Sequence, residues 1–239
     1  MINVDALNQQ YTTTESILRY AVDTYGDGLC LASSLGAEDQ VLTDMLCAIS
    51  NPVHIVVLDT GRLHQETYDV MANSAQKYGI QYDVYTPDTE ALEAMLRQHG
   101  PNHFYQQVAH RKQCCRIRKV DPLNRALSNY QAWITGVRRA QSMNRALMNH
   151  FEWDESHGML KINPLAMWSQ SDVWDYIKRY DVPYNVLHDR GFPSIGCEPC
   201  TRSVNEGDDP RSGRWWWEDA EKKECGLHVH NEESNESTR

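Results

Sequence analysis

The chain has 239 residues, 41% of them hydrophobic, which is enough for one sizeable core. Its 33 acidic and 23 basic residues give a net charge of −10, which argues against a general nucleic-acid binder, because such proteins present a broad basic surface to phosphates. We see no signal-peptide pattern at the start and no run of about 18 apolar residues, so we expect a soluble cytoplasmic protein with no membrane segment. Seven cysteines then point to metal ligands, catalytic thiols or buried side chains rather than to a disulfide framework.

The first half of the chain repeats a strand, turn and helix pattern. The segment TTTESILRYAVDTYG predicts a surface helix in which Thr12 and Glu15 form a capping pair and Gly26 follows the last turn. GLCLASSLGAEDQVLTDMLCAIS predicts an apolar strand, a turn of small residues and an amphipathic helix. A second strand, from Val53 to Leu58, leads through a Thr-Gly turn into a helix that ends at Gly79.

Further short strands are predicted at YDVYTP and AWITGV, and a capped helix at WSQSDVWDYIKRYDVPY, where Ser169 precedes Asp172 by three positions. Strands without polar alternation, separated by helices, indicate an α/β protein with a parallel sheet covered on both faces. From about Asn205 the composition changes to charge, glycine and three tryptophans. We therefore expect a main domain over residues 1–204 and a mobile C-terminal segment over 205–239.

The turn SSLGAED is the first candidate binding site. Ser33, Ser34 and Gly36 offer hydroxyls and an open backbone just before a helix N-terminus, where free amides favour an anion. The same small residues are also common where a strand and a helix merely pack closely. The turn matches neither the dinucleotide fingerprint nor the Walker loop.

Two cysteine pairs predict a metal centre. Cys114 and Cys115 are adjacent, so their Cα atoms are only about 3.8 Å apart, shorter than a relaxed disulfide prefers. Cys197 and Cys200 have the spacing of two ligands on one metal. Neighbouring thiolates fit an iron-sulfur cluster better than zinc, although zinc and unliganded cysteines both remain open.

A positive stretch surrounds the first pair. Cationic neighbours stabilise thiolates and offset the negative charge of a thiolate-bound cluster. The alternative is an ordinary solvated helix face. The cations of this stretch are Arg111, Lys112, Arg116, Arg118 and Lys119.

Cys225 is the candidate nucleophile. It lies in the polar segment EKKECGLHVH, after two lysines and before His228, which is typical of an exposed thiol with thiolate character. An incidental surface cysteine is the alternative. Cys30 and Cys47 lie in apolar patterns and are expected in the core.

In chain order, the segments SSLGAED, LDTGRLH, CC with RK, ITGVRRAQS, GCEPCTR, GRWWWE and ECGLH closely resemble the assimilatory adenylyl-sulfate reductases, within the adenylyl/phosphoadenylyl-sulfate reductase family. The resemblance spans roughly residues 30–228. It implies a Rossmann-like fold of the adenine nucleotide alpha hydrolase type and an oxidoreductase of sulfate assimilation and cysteine biosynthesis. The implied reaction is the thioredoxin-dependent reduction of adenylyl sulfate to sulfite and AMP.

The resemblance also implies roles for individual residues. A [4Fe-4S] cluster would be bound by Cys114, Cys115, Cys197 and Cys200. The catalytic group would be Cys225, Lys119 and His228, with Cys225 as the nucleophile that forms an S-sulfocysteine. The substrate-binding residues would be Ser33, Ser34, Gly36, Asp59, Thr60, Gly61, Arg62, Arg138, Arg211 and Arg214.

Several alternatives stay open at this point. Some cluster-bearing members accept phosphoadenylyl sulfate as well as adenylyl sulfate, so the substrate preference is not decided. An ATP pyrophosphatase-type thiolation enzyme shares the fold but carries an SGGxDS loop, which this sequence lacks. A non-catalytic, zinc-stabilised nucleotide-binding protein is the third reading. A homo-oligomer is implied by the resemblance alone.

Overall fold

The structure is a computed structural model that describes residues 2–49, 54–141 and 145–218. Its helices and strands alternate along most of the chain, as the sequence predicts. In order they are α1 (Val4–Gln10), α2 (Thr14–Tyr25), β1 (Leu29–Ser33), α3 (Ala37–Ile49), β2 (His54–Leu58), α4 (Gln65–Tyr78), β3 (Asp83–Tyr85), α5 (Thr89–His99), α6 (Val108–Cys115), a π-helical turn (Arg116–Val120), α7 (Asp121–Leu127), β4 (Ala132–Ile134), β5 (Phe151–Asp154), β6 (Met159–Ile162) and α8 (Gln170–Tyr180).

The strands form one six-stranded sheet in the order β3-β2-β1-β4-β6-β5. The pairs from β3 to β6 are all parallel, and only the edge strand β5 runs antiparallel, to β6. The predicted α/β fold with a parallel sheet is therefore confirmed, and the antiparallel edge strand β5 is an addition that was not predicted. From β1 the chain continues to β2 and β3 on one side of β1, and it then crosses to β4 on the other side. The switch point of the sheet therefore lies between β1 and β4.

Both faces of the sheet are covered. Alternate residues of β1 face opposite sides, so Leu31 packs with α2, α3 and α8 while Cys30 packs with Leu123 and Leu127 of α7. Cys30 is fully buried, as expected, and its burial raises the pKa of its thiol. Cys47 is only half-buried.

Two local predictions need correction. The helix α2 is capped one residue later than expected, because Thr13 accepts a hydrogen bond from the backbone of Ser16 and the Ser16 side chain closes the capping box. The β5–β6 hairpin was not predicted, because its strands are only four residues long and β5, with the sequence FEWD, is half polar. The α8 cap, with Ser169 and Asp172 bonded to each other's backbone amides, is confirmed.

Candidate active site

A cavity of about 1220 Å³ opens at the carboxyl ends of β1, β2 and β4, the place where open α/β sheets bind ligands. It is large enough for a nucleotide-sized molecule. Seven residues predicted to bind substrate or assist catalysis line it: Ser33, Ser34, Gly36, Lys119, Arg138, Arg211 and Arg214.

The β1–α3 turn forms one wall of the cavity. The backbone amide and the hydroxyl of Ser34 donate to the same carboxylate oxygen of Asp39, at 2.6 and 2.7 Å. The Leu35 amide donates to the Ser33 hydroxyl at 3.1 Å, and Leu35 has a left-handed φ of 60° although it carries a side chain. A buried carboxylate thus fixes a turn whose backbone is in an unfavourable conformation.

Asp39 was not singled out from the sequence. It is buried, and burial raises its pKa to about 6 against the opposing effect of the Ser34 hydrogen bonds. The backbone amide of Gly136, in the segment ITGVRR, also bonds this carboxylate, and a Cβ added at Gly136 would collide with it. The two segments therefore meet at a point that only glycine allows.

Arg138 lies beside this turn with a partner of its own. Its guanidinium forms an ion pair with Glu38, with 2.7 Å between Nη2 and Oε1, and Gln141 also donates to this carboxylate. Arg138 and Glu38 both line the cavity, so the charge that Arg138 presents to a ligand is partly compensated.

Arg214 is held in place by the second cysteine segment. Its guanidinium lies against Gly196, where an added Cβ would overlap it, and its backbone forms a bridge with Thr201. It donates weakly to the Ile195 carbonyl oxygen at 3.3 Å. The cation is therefore positioned by the loop that carries Cys197 and Cys200.

The predicted residues of the DTGR turn do not line the cavity among the described residues. Asp59 accepts hydrogen bonds from the Gly61 amide and the Tyr68 hydroxyl, both at 2.8 Å. Thr60 lies 3.3 Å from the sulfur of Cys197, and Arg62 donates to the Pro101 carbonyl oxygen. This turn packs against the cysteines, so a direct role in substrate binding remains a prediction.

The four cysteines line one small pocket. Its volume is about 20 Å³, and Cys114, Cys115, Cys197 and Cys200 surround it together with four cations: Arg62, Arg111, Arg118 and Lys119. None of the six cysteines in the described residues forms a disulfide. Four gathered thiols with cationic neighbours are the donor set that suits a thiolate-ligated metal centre. No group of three or more His, Cys, Asp or Glu in the described chain is already arranged to hold a metal ion.

The thiols of this pocket differ electrostatically. Burial raises the pKa of Cys114, and it raises the pKa of Cys200 to about 12. Burial acts in the same direction on Cys197, but the Lys119 charge, the Thr60 hydrogen bond and Arg214 outweigh it and lower that pKa. Cations close to this sulfur therefore favour its thiolate.

Lys119 links the two pockets, because it lines both the large cavity and the cysteine pocket. It lies in the π-helical turn that continues α6 after Cys115. Such turns widen a helix by one residue and are frequent at functional sites. Arg118, in the same turn, donates to the Thr60 carbonyl oxygen and so ties it to the DTGR segment.

The start of the C-terminal segment packs on the cysteine pocket. Trp215 is only 2% exposed and lies between the guanidinium groups of Arg111 and Arg214, at 4.6 and 5.0 Å from its ring. Arg111 also forms a buried ion pair with Glu218 at 2.8 Å. The remainder of the segment, including the predicted nucleophile Cys225 and His228, lies outside the described residues.

No helix in the described ranges is long and apolar enough to cross a membrane.

Comparison with known protein families gives a match to the phosphoadenosine phosphosulfate reductase domain over residues 28–203. A protein of Burkholderia cepacia named adenosine 5'-phosphosulfate reductase is 50% identical over 203 residues, which cover 85% of this chain and 81% of that protein. A protein of the same name from Neisseria meningitidis is 44% identical over 93% of this chain and 91% of its own length.

Solved structures agree with these matches. The phosphoadenylyl-sulfate reductase of Candida auris, in a phosphate complex, superimposes with a TM-score of 0.72 at 30% identity, covering 84% of this chain and 96% of that one. The FMN adenylyltransferase of Candida glabrata has a TM-score of 0.56 at 14% identity over 96% of this chain and 81% of its own, which shows a shared fold alone. By the extent of the domain match and the identity to its relatives, the chain belongs to the phosphoadenosine phosphosulfate reductase domain family.

Proposed function

We propose that this protein reduces adenylyl sulfate to sulfite and AMP in assimilatory sulfate reduction. One observation carries the proposal: the cavity at the switch point of the sheet shares Lys119 with a pocket of four cysteines. The names of the bacterial relatives support the same substrate.

The cations of the cavity suit a phosphosulfate. A thiolate and the phosphate–sulfate anhydride of the substrate are both negatively charged and repel each other in water. The site must therefore supply positive charge near the reacting sulfur. Lys119, Arg211 and Arg214 all line the cavity, and Arg214 is buried and fixed against Gly196. These side chains would hold the phosphosulfate and stabilise the AMP phosphate as its bond to sulfur breaks.

Cys225 would be the nucleophile. Its thiolate attacks the sulfate sulfur, forming Cys–S–SO₃⁻ and releasing AMP as the anhydride bond breaks. A thiolate of a dithiol protein such as thioredoxin then attacks the Cys225 sulfur and releases sulfite. That attack leaves a mixed disulfide between Cys225 and the donor. The second donor thiol then breaks this bond, closes a disulfide within the donor and expels the Cys225 thiolate, so both electrons come from the donor. His228 would bind substrate or tune the thiolate.

The cysteine pocket would hold a [4Fe-4S] cluster through Cys114, Cys115, Cys197 and Cys200. The donor set and the ring of cations support this assignment. When bound, the cluster would supply an electrostatic and structural contribution beside Lys119, since the thiols already account for both electrons. A homo-oligomer in the cytoplasm remains part of the proposal.

A second substrate has support of its own. The structural relative from Candida auris is named a phosphoadenylyl-sulfate reductase, and the cavity here is lined by additional cations, Arg139, Arg145 and Lys178. A 3′-phosphate would need such charges. Phosphoadenylyl sulfate is therefore the alternative, alone or beside adenylyl sulfate.

The test offers each nucleotide separately, with thioredoxin, to anaerobically prepared protein and to the Cys225→Ser variant. We expect sulfite from adenylyl sulfate at a rate well above that from phosphoadenylyl sulfate, and at least about a 1000-fold loss in the variant because the nucleophile is gone. Cys47→Ser serves as the matched control and should keep full activity. Sulfite from neither nucleotide, or normal turnover by Cys225→Ser, would contradict the proposal.

A further inference from the structure

Three histidines form a cluster next to the cysteine pocket but separate from it. His99 ends α5, His103 lies in the 3₁₀ turn that follows, and His110 lies on α6, one turn before Cys114. The ring centres are 5.5 Å apart for His99 and His103, 5.0 Å for His99 and His110, and 5.5 Å for His103 and His110. The reaction proposed above uses none of these side chains.

Within the described part of the chain, two ring nitrogens of this cluster have no hydrogen-bond partner. They are Nε2 of His103 and Nδ1 of His110, both buried, and His103 as a whole is 1% exposed. A buried polar atom without a partner destabilises the folded state, so its persistence in a fold calls for a reason. A bound ion is one such reason.

The opposite nitrogens of the same two rings are already occupied. His103 Nδ1 lies 2.9 Å from the Gly100 carbonyl oxygen, and His110 Nε2 lies 2.7 Å from the Gln107 amide. With the Gln107 amide turned so that its oxygen accepts, each ring donates through one nitrogen and presents a lone pair on the other. Metal-bound histidines are held in this way, with an N–H directed to a carbonyl oxygen and the second nitrogen on the metal.

The spacing of the rings also fits a single ion. A zinc-bound imidazole nitrogen lies about 2.0–2.1 Å from the metal, which puts the ring centre about 3 Å away. Two such rings at a tetrahedral angle are therefore about 5 Å apart, close to the three spacings observed. The rings would have to turn about their side-chain bonds to converge, since no described trio is yet arranged around an ion.

From these contacts we propose that His99, His103 and His110 form a binding site for a divalent transition-metal ion such as Zn²⁺, distinct from the cysteine pocket. Imidazole ligands suit zinc, copper and nickel. His99 is half-buried, which leaves the fourth position to water. A bound ion would join the end of α5 and the 3₁₀ turn to α6, the helix that presents Cys114 and Cys115.

The test is a titration with Co²⁺ of the full-length protein, purified anaerobically with its iron retained and freed of loose metal by a mild chelator. We expect one Co²⁺ per chain with visible d–d absorption and no thiolate charge-transfer band, displaced by one equivalent of Zn²⁺. His99→Gln should weaken binding by at least about 10-fold, as should His110→Gln. His157→Gln, which removes a histidine bonded to Asp154 at a distant hairpin, should not.

His99→Gln is the primary variant because His99 is only half-buried, unlike His103. Circular dichroism and iron content show whether each variant is folded. The proposal is overturned if cobalt gives no d–d bands, or if the bands are unchanged in both His99→Gln and His110→Gln. A charge-transfer band would also overturn it, since that would place the cobalt on cysteines. None of these readouts depends on sulfite formation, so the outcome is independent of the proposed reaction.

Discussion

The large cavity and the cysteine pocket lie side by side but are built differently. The cavity is wide, carries charges of both signs and holds its cations by specific contacts, such as Glu38 on Arg138. The cysteine pocket is about sixty times smaller in volume, and four thiols and four cations line it together with Phe104 and Pro199. The difference matches the two proposed tasks, in which the wide cavity binds an exchangeable substrate and the four cysteines hold a permanent metal centre. Lys119 is the side chain common to both.

Among the variants that test this comparison, Cys115→Ser in the cysteine pocket should have the largest effect. It deletes one of the four proposed ligands, so we expect loss of iron and acid-labile sulfide and at least about a 100-fold loss of sulfite formation. Iron analysis and turnover are measured on the same preparation, with Cys47→Ser as control. A variant without iron but with full activity would show that the metal centre is dispensable.

Lys119→Gln tests the connection between the two pockets. It removes the charge that both share but none of the proposed ligands, so iron content should be unchanged while kcat/KM for adenylyl sulfate falls about 100-fold. The matched control is Lys112→Gln, an exposed lysine of α6 that lines neither pocket. Loss of iron in Lys119→Gln, or equal activity losses in both variants, would contradict a specific role of this charge at the substrate.

Asp39→Asn changes the wall of the large cavity and should have the smallest effect of the three variants. We expect this effect in the pH dependence of the free energy of unfolding. The folded-state pKa of Asp39 is about 6, above the ordinary value of 3.8, so its contribution to stability is fully present below the ordinary value and is lost as pH rises through 6. The pKa difference corresponds to about 3 kcal/mol, roughly half of it between pH 5 and pH 7.5.

The measurement is urea unfolding of both proteins across this pH range. We expect the stability of the wild type relative to Asp39→Asn to decrease as pH rises, because only the wild type must ionise a buried carboxyl. Glu93→Gln, in an exposed pair with Arg97, is the matched control that removes a surface carboxylate. A stability difference that does not vary with pH would mean that Asp39 titrates normally.

Much of the fold could be predicted because its signals are local. The α4 helix ends at Gly79 with a left-handed φ, and α8 begins at a Ser169–Asp172 capping box, both as predicted. The meeting of the two cysteine pairs was also predictable, since their spacing is typical of metal ligands. The caps depend on residues close together in the sequence, and so does the ligand spacing within each cysteine pair, although the two pairs are about eighty residues apart.

The missed features depend on long-range contacts. Asp39 follows Glu38 in a helix start that looks like ordinary dipole stabilisation, and only the folded chain brings Gly136 against it. Arg111 looked like one cation of a positive stretch, but it is buried against Trp215 and Glu218, about a hundred residues later. The only available clue was GRWWWE itself, whose tryptophans require a partner surface.

The buried ion pair between Arg111 and Glu218 fixes the point from which the chain continues to Cys225. Cys225 follows Glu218 by seven positions, and a stretch of that length spans at most about 25 Å whatever path it takes. A thiol confined to that radius meets a cavity ligand at an effective concentration in the millimolar range, far above that of a free thiol donor in a cell. In the proposed reaction, the ion pair thus limits how far the Cys225 thiol can be from Glu218 during the first sulfur transfer.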